Sequence, residues 1–100
     1  GAGWDVVTAR AVGPIWDVVE LALPALAIGG RLVVWKRGDL TVELTAGARA
    51  ARALGGTVPL VHPVPPAAGL SGHVLVVVRK ENRTPDGYPR DPAARNRRPW

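Results

Sequence analysis

The chain has 100 residues, with 13 Lys and Arg against 8 Asp and Glu, a formal net charge of +5, and no Cys, Met or Phe. That length supports one domain with a modest core, and the missing cysteines exclude disulfides, thiolate metal sites and a cysteine nucleophile. The longest apolar stretches, residues 21–30 and 74–78, are too short to cross a bilayer and no charged-then-apolar leader opens the sequence, so a cytoplasmic chain without a membrane partner is expected.

WDVVTA (residues 4–9) mixes β-branched residues with one aspartate and predicts a buried strand. Pro14 then suits the first turn of a helix whose apolar face is Ile15, Val18, Val19, Ala22 and Leu26, with Gly29-Gly30 as its stop and Pro24 as a kink or early end. RLVVWK (residues 31–36) is nearly continuous in apolar character, as in a strand covered by helices on both faces. Asp39 can cap a second helix with an apolar stripe at Leu40, Leu44, Ala48, Ala51 and Leu54, stopped by Gly55-Gly56. TVPLVHPV (residues 57–64) reads as a poor strand, because Pro59 and Pro63 cannot donate ladder bonds, and belongs at an edge. HVLVVVRK (residues 73–80) is the strongest strand, and the short PPAAGLSG link makes it an antiparallel hairpin partner of its predecessor.

The pattern is βαβα followed by a β-hairpin over residues 1–80, then a basic Pro/Arg-rich strap at 81–100. Residues 1–78 hold six basic and five acidic side chains, whereas 79–100 hold seven and three, so most of the net charge lies in the tail. A basic arm points to phosphate-rich partners. The absence of methionine and the sheet left open beside the first strand both read as part of a larger fold, with self-association through that edge as a hazard. His62 and His73 can face each other across the hairpin, but two histidines without a third ligand are a poor metal site and no metal is expected. Asp5 and Asp39 read as structural, and Trp4, Trp16, Trp35 and Trp100 as core or subunit anchors.

Four ordered blocks are more specific: WDVVTARAVGP (4–14), ELALPALAIGGRLVVWKRG (20–38), HVLVVVRK (73–80) and TPDGYPRDP (84–92). Together they resemble the RsmG (GidB) family of small-subunit (16S) rRNA guanine-N7 methyltransferases. The resemblance implies the C-terminal half of a class I, Rossmann-like S-adenosylmethionine-dependent methyltransferase fold. It further implies S-adenosylmethionine as cofactor, with its main binding half absent from this chain, and small-subunit rRNA as partner. Guanine N7 carries a free lone pair, so positioning and electrostatics suffice for methyl transfer without a general base.

Carried onto this sequence, the ARA word makes Arg10 a cofactor contact at the end of the first strand, where ligands sit in open α/β sheets. The KG-like word makes Lys36 a candidate donor to phosphate or to the guanine edge. Tyr88-Pro89-Arg90 and Pro92 match the family's tail word, which implies an ordered extended strap with Arg90, Arg97 and Arg98 toward rRNA phosphates. The chain departs from the family pattern at His73, Val74, Ala93, Arg95 and Trp100, and Trp100 is expected to pack. The alternative reading is a non-catalytic RNA-binding or interaction module on a truncated methyltransferase scaffold.

Overall fold

A computed structural model describes residues 3–10, 13–65 and 72–100. The first β-branched run forms β1 (Trp4–Arg10), and α1 (Ile15–Ala22) follows Pro14, whose carbonyl accepts the N–H groups of Asp17 and Val18. The helix ends well before the expected glycine stop. It gives way to a single 3-10 turn at Leu23–Ala25, and the backbone is extended by Leu26. Pro24 explains this, since it has no N–H for the Glu20 carbonyl and its ring crowds that turn.

Strand β2 (Leu26–Arg37) therefore starts five residues earlier than expected and contains Gly29 and Gly30. It runs parallel to β1, from Val6 opposite Arg31 to Arg10 opposite Trp35, with a register shift between Trp4 and Val6. At Gly30 a Cβ would lie 2.8 Å from the Trp4 carbonyl oxygen and 3.0 Å from that of Asp5. The glycine pair lets β1 pass close by and does not stop a helix.

Helix α2 (Thr41–Ala53) starts where expected, as the Asp39 carboxylate accepts the Thr41 N–H at 3.0 Å and its hydroxyl at 2.7 Å. Its buried residues are Ala46, Gly47, Ala50 and Ala51, continued by Leu54; Leu40, Ala51 and Leu54 of the expected stripe are buried and Leu44 packs against the core, with the face turned slightly toward Ala46, Gly47 and Ala50 and away from Ala48. The turn brings Gly47 against Ile15: a Cβ there would lie 2.7 Å from Ile15 Cγ2, and α1 and α2 pack as closely as a glycine allows.

β3 (Leu60–Pro63) and β4 (His73–Arg79) form the expected antiparallel pair, and their link lies mostly outside the described residues. β4 also pairs antiparallel with β2, giving a four-stranded mixed sheet in the order β1-β2-β4-β3, with β1 and β3 at its edges. His62 stands opposite Leu75 and His73 opposite Arg37, so the two histidines are offset and not facing. Among the described residues no three His, Asp or Glu side chains converge as a metal site would need. No described helix is long and apolar enough to cross a membrane.

The core lies on one side of the sheet. Ile15, Val19 and Leu23 meet Leu32, Val34, Leu54, Val76 and Val78, all fully buried. Coverage of both sheet faces is thus corrected: α1 and α2 share one face, and the continuous apolar character of β2 has an outward half, Val33 and Trp35, that no described element covers. Trp4, read as a core or subunit anchor, is 67% exposed at the sheet edge and so is not part of this core.

The tail returns across the helix pair, with Tyr88 and Trp100 packed against the core. It is not extended throughout. Asp91 accepts the Ala94 N–H at 2.8 Å and Pro92 takes the first turn of a short α3 (Pro92–Arg97), an N-cap and proline combination that starts helices.

Candidate functional site

The C-terminal ends of the parallel strands β1 and β2 carry Arg10 and Lys36, and the pleat sends them to opposite faces. Arg10 is exposed on the uncovered face, its guanidinium 5.9 Å from the centre of the Trp35 ring. Lys36 points under the helices and is buried. Its Nζ donates to the Gly13 carbonyl at 3.1 Å and pairs with Glu43 Oε1 at 2.7 Å. The same Glu43 oxygen accepts the Ile15 N–H at 3.0 Å. One carboxylate thus ties β2, the start of α1 and α2 together. Glu43 was not singled out by sequence reasoning. Its signal is a carboxylate in the first turn of α2, where the helix dipole favours it.

The second cluster is in the tail. Glu20, fully buried on α1, receives Arg90 through its N–H (2.8 Å), Nε (2.9 Å) and Nη2 (2.7 Å), and the Trp100 indole N–H at 2.9 Å. Burial pushes its pKa up, but the Arg90 and Trp100 hydrogen bonds and the Arg90 charge outweigh it, leaving the carboxyl at about 2 instead of 4.5. The Arg90 guanidinium lies 5.1 Å from the centre of the Trp100 ring and donates to the Arg98 carbonyl at 2.9 Å. Arg49 of α2 donates to the Trp100 main-chain oxygen, Nε at 2.9 Å. Arg90 is therefore turned inward, whereas Arg97 and Arg98 are exposed. The signal for Glu20 was a lone carboxylate beside the apolar residues Val18 and Val19.

A third cation is wholly structural. Lys80 is buried and its Nζ donates to the carbonyls of Leu23 (2.9 Å) and Leu26 (2.8 Å), satisfying the chain where α1 breaks into β2. Burial lowers its pKa.

No family model matches the chain. Among curated proteins it is 44% identical over 96 residues to the ribosomal RNA small subunit methyltransferase G of Chloroflexus aggregans, covering 96% of this chain and 40% of that protein. The protein of the same name from Bacillus subtilis is 36% identical over 96 residues, with 96% and 40% covered, and that from Deinococcus deserti 44% over 97 residues, with 96% and 39% covered. By sequence, then, the chain is a relative of the ribosomal RNA small subunit methyltransferase G proteins, as the four sequence blocks led us to expect, and it spans about 40% of their length.

Proposed function

We propose that this chain is the C-terminal portion of an rRNA methyltransferase with a class I, Rossmann-like fold, which as a whole moves a methyl group from S-adenosylmethionine to guanine N7 of small-subunit rRNA. The observation that carries this reading is identity of up to 44% running through nearly the entire chain to proteins named for that class of activity. The mixed sheet with two helices on one face is compatible with it. Cytoplasmic location follows from the same reading.

The described residues do not by themselves fit the methyl donor. A cofactor of this kind is held by backbone N–H groups at a strand-to-helix turn. Here one N–H at each such helix start is already taken from within, that of Ile15 at α1 by Glu43 and that of Thr41 at α2 by Asp39. At the strand ends, Arg10 is exposed and can meet a carboxylate, whereas Lys36 is already paired. On this reading the 100 residues alone are expected to be inactive, and the remaining contacts come from further polypeptide. In the complete enzyme, Lys36 and Glu43 hold the segment after β1 in place, and Arg97 and Arg98 stand ready for phosphates, with Arg90 pinning the tail.

The test joins this chain to the unmatched remainder of the Chloroflexus aggregans relative. The chimera is incubated with the methyl donor and small-subunit rRNA, and the RNA is read by chemical cleavage at N7-methylguanine. Cleavage at one guanine is expected. A folded chimera that binds RNA and transfers nothing would favour the non-catalytic module.

A further inference from the structure

The resemblance gives the cation at the end of β2 to Lys36, but the fold spends that ammonium internally. Lys36 is buried, pairs with Glu43 at 2.7 Å and donates to the Gly13 carbonyl. Arg37, the last residue of β2, is exposed. Successive side chains of a strand leave opposite faces, so Arg37 points away from the helices, to the side taken by Trp35 two residues before it. Arg10 pairs in register with Trp35 and stands on that same side. The two arginines therefore share one rim, with Arg37 about 7 Å further along the strand direction. Directly opposite Arg37 across the ladder is His73, so no carboxylate meets it there. The acids that follow β2 are engaged elsewhere, Asp39 on the Thr41 N–H and hydroxyl and Glu43 on Lys36 and the Ile15 N–H. Among the described residues Arg37 makes no ion pair. Next to it the chain turns through Gly38 at φ 88°, where a Cβ would meet no described atom within 4 Å.

We infer that Arg37 is a substrate-binding residue, taking a backbone phosphate of the RNA beside the reacting guanine, and that Lys36 does not touch RNA. The C-terminal ends of parallel strands are where ligands sit in open α/β sheets. An exposed, unpaired guanidinium at that end calls for an anion, and its planar fork matches two oxygens of one phosphate. A carboxylate of further polypeptide would also satisfy the charge. Phosphate is favoured because Arg37 stands on the rim that a substrate must cross, and phosphate contacts are what fix the register of a nucleic acid on its protein. The identity of the anion rests on the proposed function, but the main readout does not involve methyl transfer.

The experiment uses the chimera with the unmatched remainder of the Chloroflexus aggregans relative, and follows RNA affinity by filter binding across a salt series. Arg37→Gln is expected to lower the slope of log affinity against log salt by about 0.7–0.9, the share of one phosphate, and to raise KM for RNA more than it lowers kcat. Arg37→Lys keeps the charge and should restore most of the slope. Lys36→Met with Glu43→Gln, which removes the pair without stranding a carboxylate, should leave the slope at the parent value. Circular dichroism checks that each variant is folded, and Arg83→Gln controls for net charge, since that guanidinium already pairs with Asp86. An unchanged slope in folded Arg37→Gln overturns the inference. So does a slope that falls in the Lys36 variant and not in Arg37→Gln. An unchanged slope together with a lowered melting temperature would assign Arg37 to a carboxylate of further polypeptide. A chimera whose slope depends on Arg37 but which methylates nothing would sink the proposed activity and leave this inference standing, whereas methylation with an Arg37-independent slope does the reverse.

Discussion

Arg90 grips Glu20 across 70 positions of sequence, with its side chain on both carboxylate oxygens and its own N–H on one of them. The pair joins the tail to the middle of the helix layer, and its carboxylate is fully buried. Arg90→Ala leaves that charge without its main partner and should cost about 3–5 kcal/mol of stability. Glu20→Gln added to Arg90→Ala removes the stranded charge and should recover part of the loss. Urea unfolding of the three variants checks this. A double variant less stable than Arg90→Ala would mean that Glu20 is held mainly by other groups.

Acid should loosen the same pairing. The Glu20 pKa falls from 4.5 to about 2 on folding, so as pH drops the unfolded chain binds the proton first. The stabilisation is complete above pH 4.5 and is lost as pH falls through about 2, in total on the order of 3 kcal/mol. Asp39, lowered by its bonds to Thr41, acts in the same direction. The Glu20 share is therefore read as the difference between the parent and Glu20→Gln in urea midpoints at about pH 6 and about pH 3. Parallel pH curves for the two proteins would contradict it.

Lys80→Met keeps the aliphatic stem and removes the donor to the Leu23 and Leu26 carbonyls. Two buried acceptors then lose their partner, and a loss of about 2 kcal/mol is expected. Hydrogen exchange should rise first at the 3-10 turn and the start of β2. Uniform exchange along the chain would show that Lys80 supports the fold globally.

Gly30→Ala forces a methyl group onto the Trp4 and Asp5 carbonyls. The backbone cannot yield without moving β1, so a cost of about 1–3 kcal/mol is expected. Amide exchange in β1 should quicken while that in β4 stays slow. A variant as stable as the parent would mean that the bulge relaxes freely.

In the complete methyltransferase, Arg97→Ala with Arg98→Ala should flatten the salt dependence of RNA binding by about 0.7–0.9 for each phosphate that is no longer neutralised, with cofactor affinity unchanged. Arg10→Ala should do the reverse, weakening the cofactor and leaving the slope intact. Filter-binding and calorimetric titrations on both variants separate the two. An unchanged slope in a folded double variant would move the proposed phosphate contacts to the exposed Arg37 or to further polypeptide.

The element order was legible in the sequence because β-branched runs, proline positions and the Asp39 cap are local signals. The hairpin was legible because a short link leaves few other pairings. The end of α1 was left between two signals: the apolar spacing runs on through Leu26 toward Gly29-Gly30, and the alternative read from Pro24, an early end, is the one the broken hydrogen bond enforces. Helix-face periodicity found Leu40, Ala51 and Leu54 of the α2 stripe but missed Ala46, Gly47 and Ala50, since the close approach of Ile15 to Gly47 is a tertiary fact with no local trace. At the site, Arg10 and Lys36 were found by resemblance to strand-end words, but only the pleat reveals that they leave opposite faces. Glu20 and Glu43 escaped notice because each is read locally as a solvated helix carboxylate, while Arg90 lies 70 residues from Glu20 and the Ile15 N–H 28 residues from Glu43.

Synthesis imposes an order on the Glu20 pairing. A ribosome adding roughly 5–20 residues per second delivers the carboxylate several seconds before Arg90 and Trp100 exist. Through that interval α1 carries a carboxylate that lacks the Arg90 and Trp100 donors of the finished fold. A chain released or nicked shortly before Tyr88 would possess every strand of the sheet and still lack the group that makes burial of Glu20 tolerable, which marks it as a ready substrate for proteolytic clearance.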